Sequence, residues 1–246
     1  MEEKSVNKTN TNSYTFIFAI IMVLVVGFTL AFTATSLQPL QYKNMRQDKM
    51  QSILATVGIS TDRAGAQVLY DKYIVEELVL NNKGEIQEGK IAFGVELAEE
   101  LEKAPEDQQF PLYIAEVEGE RFYIIPLRGA GLWNAIFGYI ALEGDYNTIA
   151  GVVFDHLGET PGLGAEITKV YFRQQFEDEK VFDDNGNFVG VSVVKGGVGP
   201  GKDDNAVDAI SGATITSVGV ENMIYERIQH YLPYFESQSG ENVTNN

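Results

Sequence analysis

The sequence predicts an α+β domain with a mixed, largely antiparallel sheet, behind a single N-terminal membrane-spanning helix. Three observations lead there. A long uncharged apolar stretch lies near the N-terminus. The middle of the chain is a series of short alternating runs separated by turn residues. Helical periodicities gather toward the two ends.

The anchor comes first. No charged residue occurs between Thr9 and Tyr42, and 14–32 reads YTFIFAIIMVLVVGFTLAF. At about 1.5 Å per residue such a helix crosses a hydrocarbon core roughly 30 Å thick. A cleaved signal peptide is the competing reading. Its positive region would hold only Lys4 and Lys8, offset by Glu2 and Glu3. Its apolar run is longer than the ~7–15 residues of a signal sequence. No small-x-small site follows, because Ala31 and Ala34 stand three apart. The anchor is assigned to 14–35, after a tail at 1–13. Lys4 and Lys8 on one flank, against Lys43, Arg46 and Lys49 on the other, leave its orientation undetermined by charge.

After Pro39 an amphipathic linker helix is expected within 36–60, with Met50, Ile53, Leu54 and Val57 on one face and Gly58 as its stop. The domain proper is placed at 61–236. It opens with a helix at 63–73 and a strand at 73–80, then the turn Asn82-Lys83-Gly84. The second half of 90–103 reads as helix. Strands are expected at 112–117, 121–126, 138–142 and 148–156, and the strand-like pattern continues through 170–176, 181–182 and 188–195. Asp184-Asn185-Gly186-Asn187 reads as a hairpin turn. A last amphipathic helix spans 217–235, and 237–246 reads as a polar, disordered tail.

Composition excludes several classes. Without cysteine the chain builds neither an iron–sulfur cluster nor a covalent c-type haem, and His156 and His230 are too few for structural zinc. Any redox work therefore falls to an organic cofactor. The net charge of −17 argues against nucleic acid and against a polybasic membrane-surface module. Glu2, Glu3, Lys4 and Lys8 cancel, so all of that charge lies beyond the anchor, on 35–246. A solvated face explains it, and attraction of cations is the sharper alternative. The glycines at 196–201 include Pro200 and lead into no helix, so they form no dinucleotide fingerprint. One span without ionisable residues offers no ion path.

Three segments stand out. Asp208-Ala-Ile-Ser211-Gly212-Ala213-Thr214-Ile-Thr216-Ser217 precedes the last helix. Its hydroxyls sit where N-caps belong, and the same helix start favours a phosphate. Gly212 and Ala213 leave the backbone open to a bulky group. His156-Leu-Gly-Glu159-Thr160-Pro161-Gly162-Leu163-Gly164 reads as a type II Pro-Gly turn, or as a loop against a planar ring. Gly129-Ala-Gly131-Leu132-Trp133 holds the one tryptophan, read either as a buried aromatic at a tight turn or as packing at a cofactor's edge.

The first segment resembles the motif on which FMN is carried through a phosphoester to threonine. GAGLW ahead of ETPGLG, with DKMQSIL at 48–54 after one span, resembles the C-subunit family of the sodium-translocating NADH:quinone reductase. The G-type flavin subunit of the Rnf ferredoxin-oxidising complex is the near alternative, and GAGLW favours the former. The resemblance implies Thr214 as acceptor, with Ser211, Thr216 and Ser217 as competing hydroxyls. It nominates Glu159, Thr160, Leu163, Gly164 and Trp133 as flavin contacts. Lys195, otherwise a surface lysine, is a cation that could stabilise reduced flavin. It further implies an electron-relay subunit of a six-subunit complex in a bacterial inner membrane, with its domain on the periplasmic side. A flavin transferase would load the FMN, and other subunits would bind NADH and quinone and export Na⁺. No catalytic side chain and no metal site are expected. An anchored non-redox binding module or scaffold is the rival class.

Overall fold

The computed structural model describes residues 12–196 and 204–244. Residues 1–11 of the expected tail, most of the glycine run from 197, and Asn245–Asn246 lie outside them. The helices are α1 (Asn12–Ala55), α2 (Arg63–Tyr73), α3 (Leu97–Glu100), α4 (Val170–Arg173), α5 (Thr214–Gln229) and α6 (Leu232–Thr244). The strands are β1 (Ile74–Leu80), β2 (Phe110–Val117), β3 (Glu120–Ala130), β4 (Ala135–Leu142), β5 (Ile149–His156), β6 (Ser192–Val194) and β7 (Ala206–Asp208). The chain divides into two compact units between Gln47 and Asp48.

In the first unit α1 carries a long apolar stretch, none of it buried. Among the described residues it is the one helix long and apolar enough to cross a membrane. The hydroxyls of Thr29, Thr33 and Thr35 donate to carbonyls four residues back, at 2.8, 2.8 and 2.9 Å. Those polar atoms therefore need no water. Pro39 lies inside α1, which runs unbroken to Ala55, so no separate linker helix begins after the span. A proline removes one helical hydrogen bond but need not end a helix.

In the second unit Met50, Ile53 and Leu54 are buried as their spacing requires. Gly58, at φ +76, ends the helix. Ile59 N–H donates to Leu54 O and Gly58 N–H to Ala55 O, which satisfies the last carbonyls in a Schellman closure. Asp62 caps α2 by accepting from Gly65 N–H at 2.8 Å.

Strands β1 to β5 form one antiparallel sheet in sequence order, and β6 pairs with β7 in parallel. The sheet buries both faces. Leu112 and Ile114 of β2 join a core with α5, while Tyr113 and Ala115 turn to a second core with Met50, Ile53 and Tyr70. Alternation with a period of two produces this split. It also explains why β2 reads as a nearly continuous apolar run. On the first face α5 lies against β3. Gly129 faces Met223, and Gly219 faces the Ala130 carbonyl so closely that a Cβ would collide.

Several expected strands are absent. Residues 170–173 form α4 and 174–176 a 3₁₀ turn. Phe172 and Phe176 are four apart, and that helical spacing sets both against Phe154, with ring centroids 6.1 and 5.3 Å away. Phe182 and Phe188 make only an isolated bridge to each other, around the expected turn at Gly186, and of 188–195 only Ser192–Val194 becomes a strand, β6. The last helix divides at His230-Tyr231, and α6 restarts with Pro233 in its first turn. α6 runs to Thr244, across most of the residues read as a tail. Burial of Tyr234 and Phe235 starts it, and Ser237 and Ser239 bond back to their carbonyls.

At the end of α5, His230 stacks on Phe110 with centroids 4.1 Å apart. Burial, reinforced by the Arg227 charge and opposed by Glu226, pushes its pKa from 6.5 down to about 4. As pH falls below 6.5 the unfolded chain takes up this proton before the folded one does. Stability is therefore expected to decline between pH 6.5 and 4. His230→Gln should flatten that part of the profile of Tm against pH. An unchanged slope would mean His230 is not its source.

Candidate functional site

Three connections converge beside the N-terminal end of α5. The first joins β3 to β4, with Gly131 N–H donating to Asn134 O at 2.8 Å. A Cβ on Gly131 would strike Ile136 and the Glu159 carboxylate. Trp133 is 70% exposed, which overturns the reading of a buried aromatic.

The second connection follows β5. Leu163 N–H donates to Thr160 O at 3.1 Å, with Pro161 and Gly162 between them and Gly162 at φ +76. The type II turn is therefore present. It is also part of a cavity wall. Glu159 N–H donates to His156 Nδ1 at 3.1 Å, turning the Glu159 side chain inward.

The third is the segment before α5. Ala213 N–H donates to Ile210 O at 3.0 Å, and Gly212 takes φ +79. A Cβ on Gly212 would stand 2.9 Å from Leu163 Cδ2, so the turn needs glycine twice over. Ala213 occupies the N-cap position and no side chain caps the helix, which overturns the reading of these hydroxyls as caps. Thr214 is instead the first residue of α5, with its side chain exposed. Ser217 Oγ accepts from Ile210 N–H at 3.2 Å and is buried.

Glu159 joins the three connections. It is 5% exposed. Its Oε1 accepts from Trp133 N–H at 2.9 Å and its Oε2 accepts from Thr216 Oγ1 at 2.8 Å. Burial raises its pKa. The donors Trp133 N–H, Thr216 hydroxyl, Asn134 N–H and Leu132 N–H outweigh that, so the carboxyl lies below its ordinary range. Gly164 must be glycine here, because a Cβ would overlap both the Glu159 carboxylate and the Thr216 hydroxyl.

Between these segments is a cavity of about 380 Å³. Trp133, Glu159, Thr160, Leu163, Gly164, Gly212, Ala213, Thr214 and Thr216 line it, all of them expected from the sequence. Ser211 does not; it borders a separate cavity with Gly162 and Asp208. Lys195 is exposed just after β6 and lines neither. Leu132 and Ile215 complete the wall and were not foreseen. Ile215 sits between two threonines on a helix start, and an apolar residue there carries no signal of its own. Among the described residues no cluster could hold a metal ion. The apolar rim, the polar floor and a hydroxyl at a helix N-terminus suit a flat aromatic ring with a phosphate tail.

A family model described as an FMN-binding domain matches residues 131–229, which contain all three connections and α5. The C-subunit of the Na(+)-translocating NADH-quinone reductase of Pseudomonas aeruginosa is 31% identical, over 86% of this chain and 89% of its own length. Its Vibrio anguillarum counterpart is 32% identical, over 85% and 87%. The crystal structure of the C-subunit from Parabacteroides distasonis superposes with a TM-score of 0.73 at 40% identity, covering 80% of this chain and 96% of that one. A sequence match across most of both chains, a shared fold and a cavity built by the matching segments lead to one assignment: this chain belongs to the C-subunit family of the Na(+)-translocating NADH-quinone reductase.

Proposed function

We propose that the protein is an electron-relay subunit that carries FMN on Thr214 through a phosphoester bond. One observation carries the choice of residue. Of the hydroxyls in the segment, only that of Thr214 both borders the cavity and is uncommitted: Thr216 is buried and donates to Glu159, Ser217 is buried against Ile210 N–H, and Ser211 lies outside the cavity. FMN, once bound, supplies one- and two-electron transfer. Attachment forms a bond from Thr214 Oγ1 to the FMN phosphorus and breaks the phosphoanhydride of FAD. AMP leaves and the hydroxyl proton passes to a base of the flavin transferase. A threonine hydroxyl is a weak nucleophile, so a separate enzyme is needed.

This chain's own residues then hold and shield the ring. Leu163, 41% exposed, and Trp133 offer it apolar cover. Gly164 and Gly212 keep the cavity open, and Glu159 fixes the three connections to one another. No side chain need transfer a proton. Electrons from NADH reach this protein and leave it toward quinone through the other members of a six-subunit inner-membrane complex that exports Na⁺. The apolar part of α1 is the single membrane span, with the domain on the periplasmic side.

Intact mass from cells that contain a flavin transferase tests the attachment. The expected value is the polypeptide plus one FMN less water, with a fluorescent band on a denaturing gel; the bare polypeptide mass would refute it. Protease added to intact spheroplasts is expected to digest the domain. Complete protection there, with digestion after lysis, would reverse the orientation.

A further inference from the structure

The other end of α5 holds another cavity, of about 490 Å³, bordered by Arg128 of β3 and by Glu226, Arg227 and His230. Arg227 is 8% exposed. Its Nη2 donates to Glu226 at 2.8 Å, but its buried Nε and Nη1 have no hydrogen-bond partner among the described residues. A buried guanidinium with unmet donors is costly, and such groups are normally paired. Arg227 does stand in the last turn of α5, where a cation complements the helix dipole. That accounts for a positive charge at this point. It leaves the two idle donors unexplained.

The cavity wall carries two guanidinium groups against one carboxylate, on a chain whose net charge is −17. The carboxylate, Glu226, is 58% exposed and so is mostly hydrated. Gln108, also on the wall, has its amide nitrogen committed to Lys103 O at 3.1 Å. His230 is held face-on to Phe110, which leaves its ring edge for hydrogen bonding. Guanidinium groups match carboxylate and phosphate oxygens in both charge and geometry. We propose that this cavity is a second binding site, for a small molecule bearing a phosphate or carboxylate group, received by Arg128 and by Arg227, whose Nε and Nη1 are closed to solvent here and meet the anion when its guanidinium turns toward the cavity. Thr214 and Arg227 lie thirteen residues apart on α5, roughly 20 Å of helix rise, so the site is separate from the proposed flavin cavity.

The test uses the full chain in detergent, followed by thermal unfolding and calorimetry. The probes are inorganic phosphate and citrate, with chloride at matched ionic strength as control. Saturable binding and a rising Tm are expected for at least one probe and not for chloride. Arg128→Gln and Arg227→Gln should each weaken that binding at least tenfold, and Arg121→Gln, on β3 but off the wall, should not. Arg227 is buried, so circular dichroism must first show that its variant is folded; half-buried Arg128 keeps the test decisive if it is not. Equal responses to phosphate, citrate and chloride would overturn the site, as would binding that survives Arg128→Gln unchanged.

Discussion

Thr214→Ala is expected to yield a folded chain with no covalent flavin, visible as loss of the fluorescent band and of the FMN mass. Alanine is the better helix former and Thr214 is exposed, so stability should change by less than about 0.5 kcal/mol. Loss of attachment is then a chemical effect and not unfolding. Thr216→Val gives the contrast. Its hydroxyl is buried and donates to Glu159, so its removal should cost about 1 kcal/mol while the flavin stays on Thr214. A fluorescent band from Thr214→Ala would instead make Thr216 or Ser211 the acceptor and end the argument from exposure.

Glu159→Gln is expected to have the largest structural effect of any single change in the cavity wall. It replaces charge-assisted hydrogen bonds from Trp133 N–H and the Thr216 hydroxyl with weaker neutral ones. It also presents an amide N–H₂ to one of those donors. A loss of about 2 kcal/mol follows, or roughly 4–8 °C in Tm for a domain of this size. Combined with Thr216→Val, the losses should be less than additive, because both variants break the same bond. The electrostatic consequence is distinct. An ionised carboxylate in the wall opposes the arrival of electrons, so Glu159→Gln should raise the flavin's midpoint potential in a spectroelectrochemical titration. A stability loss with an unchanged potential would leave Glu159 a purely structural clamp.

Much of this was legible because it depends on local rules. The five sheet strands follow from short apolar or alternating runs between turn residues, and Gly58 ends its helix as glycine at that position should. Glycines and a proline at fixed spacing made the cavity's segments legible as turns, while their part in a site came from the resemblance to the flavin-subunit family and not from spacing. What escaped was set by tertiary contacts. The stretch 170–176 alternates well enough to pass for a strand, yet Phe154 recruits Phe172 and Phe176 into a helical turn. The capping reading of Ser211 to Ser217 failed for the same kind of reason. Thr216 and Ser217 have partners 57 and 7 residues away in sequence, and no local rule foresees Glu159 at the helix start. Pro39 misled in the opposite direction, since a long apolar helix tolerates one missing hydrogen bond.

The exposure of Trp133 has a spectroscopic consequence. It is the only tryptophan of the chain and it stands on the rim of the proposed flavin cavity. Indole emission excited at its red edge, where the tyrosines do not absorb, therefore reports on that rim and on nothing else in the molecule. A flavin held there as proposed would absorb where indole emits, so the loaded chain would carry its own donor–acceptor pair. The quenching of one residue would then follow the proposed flavin loading in real time, with no label attached.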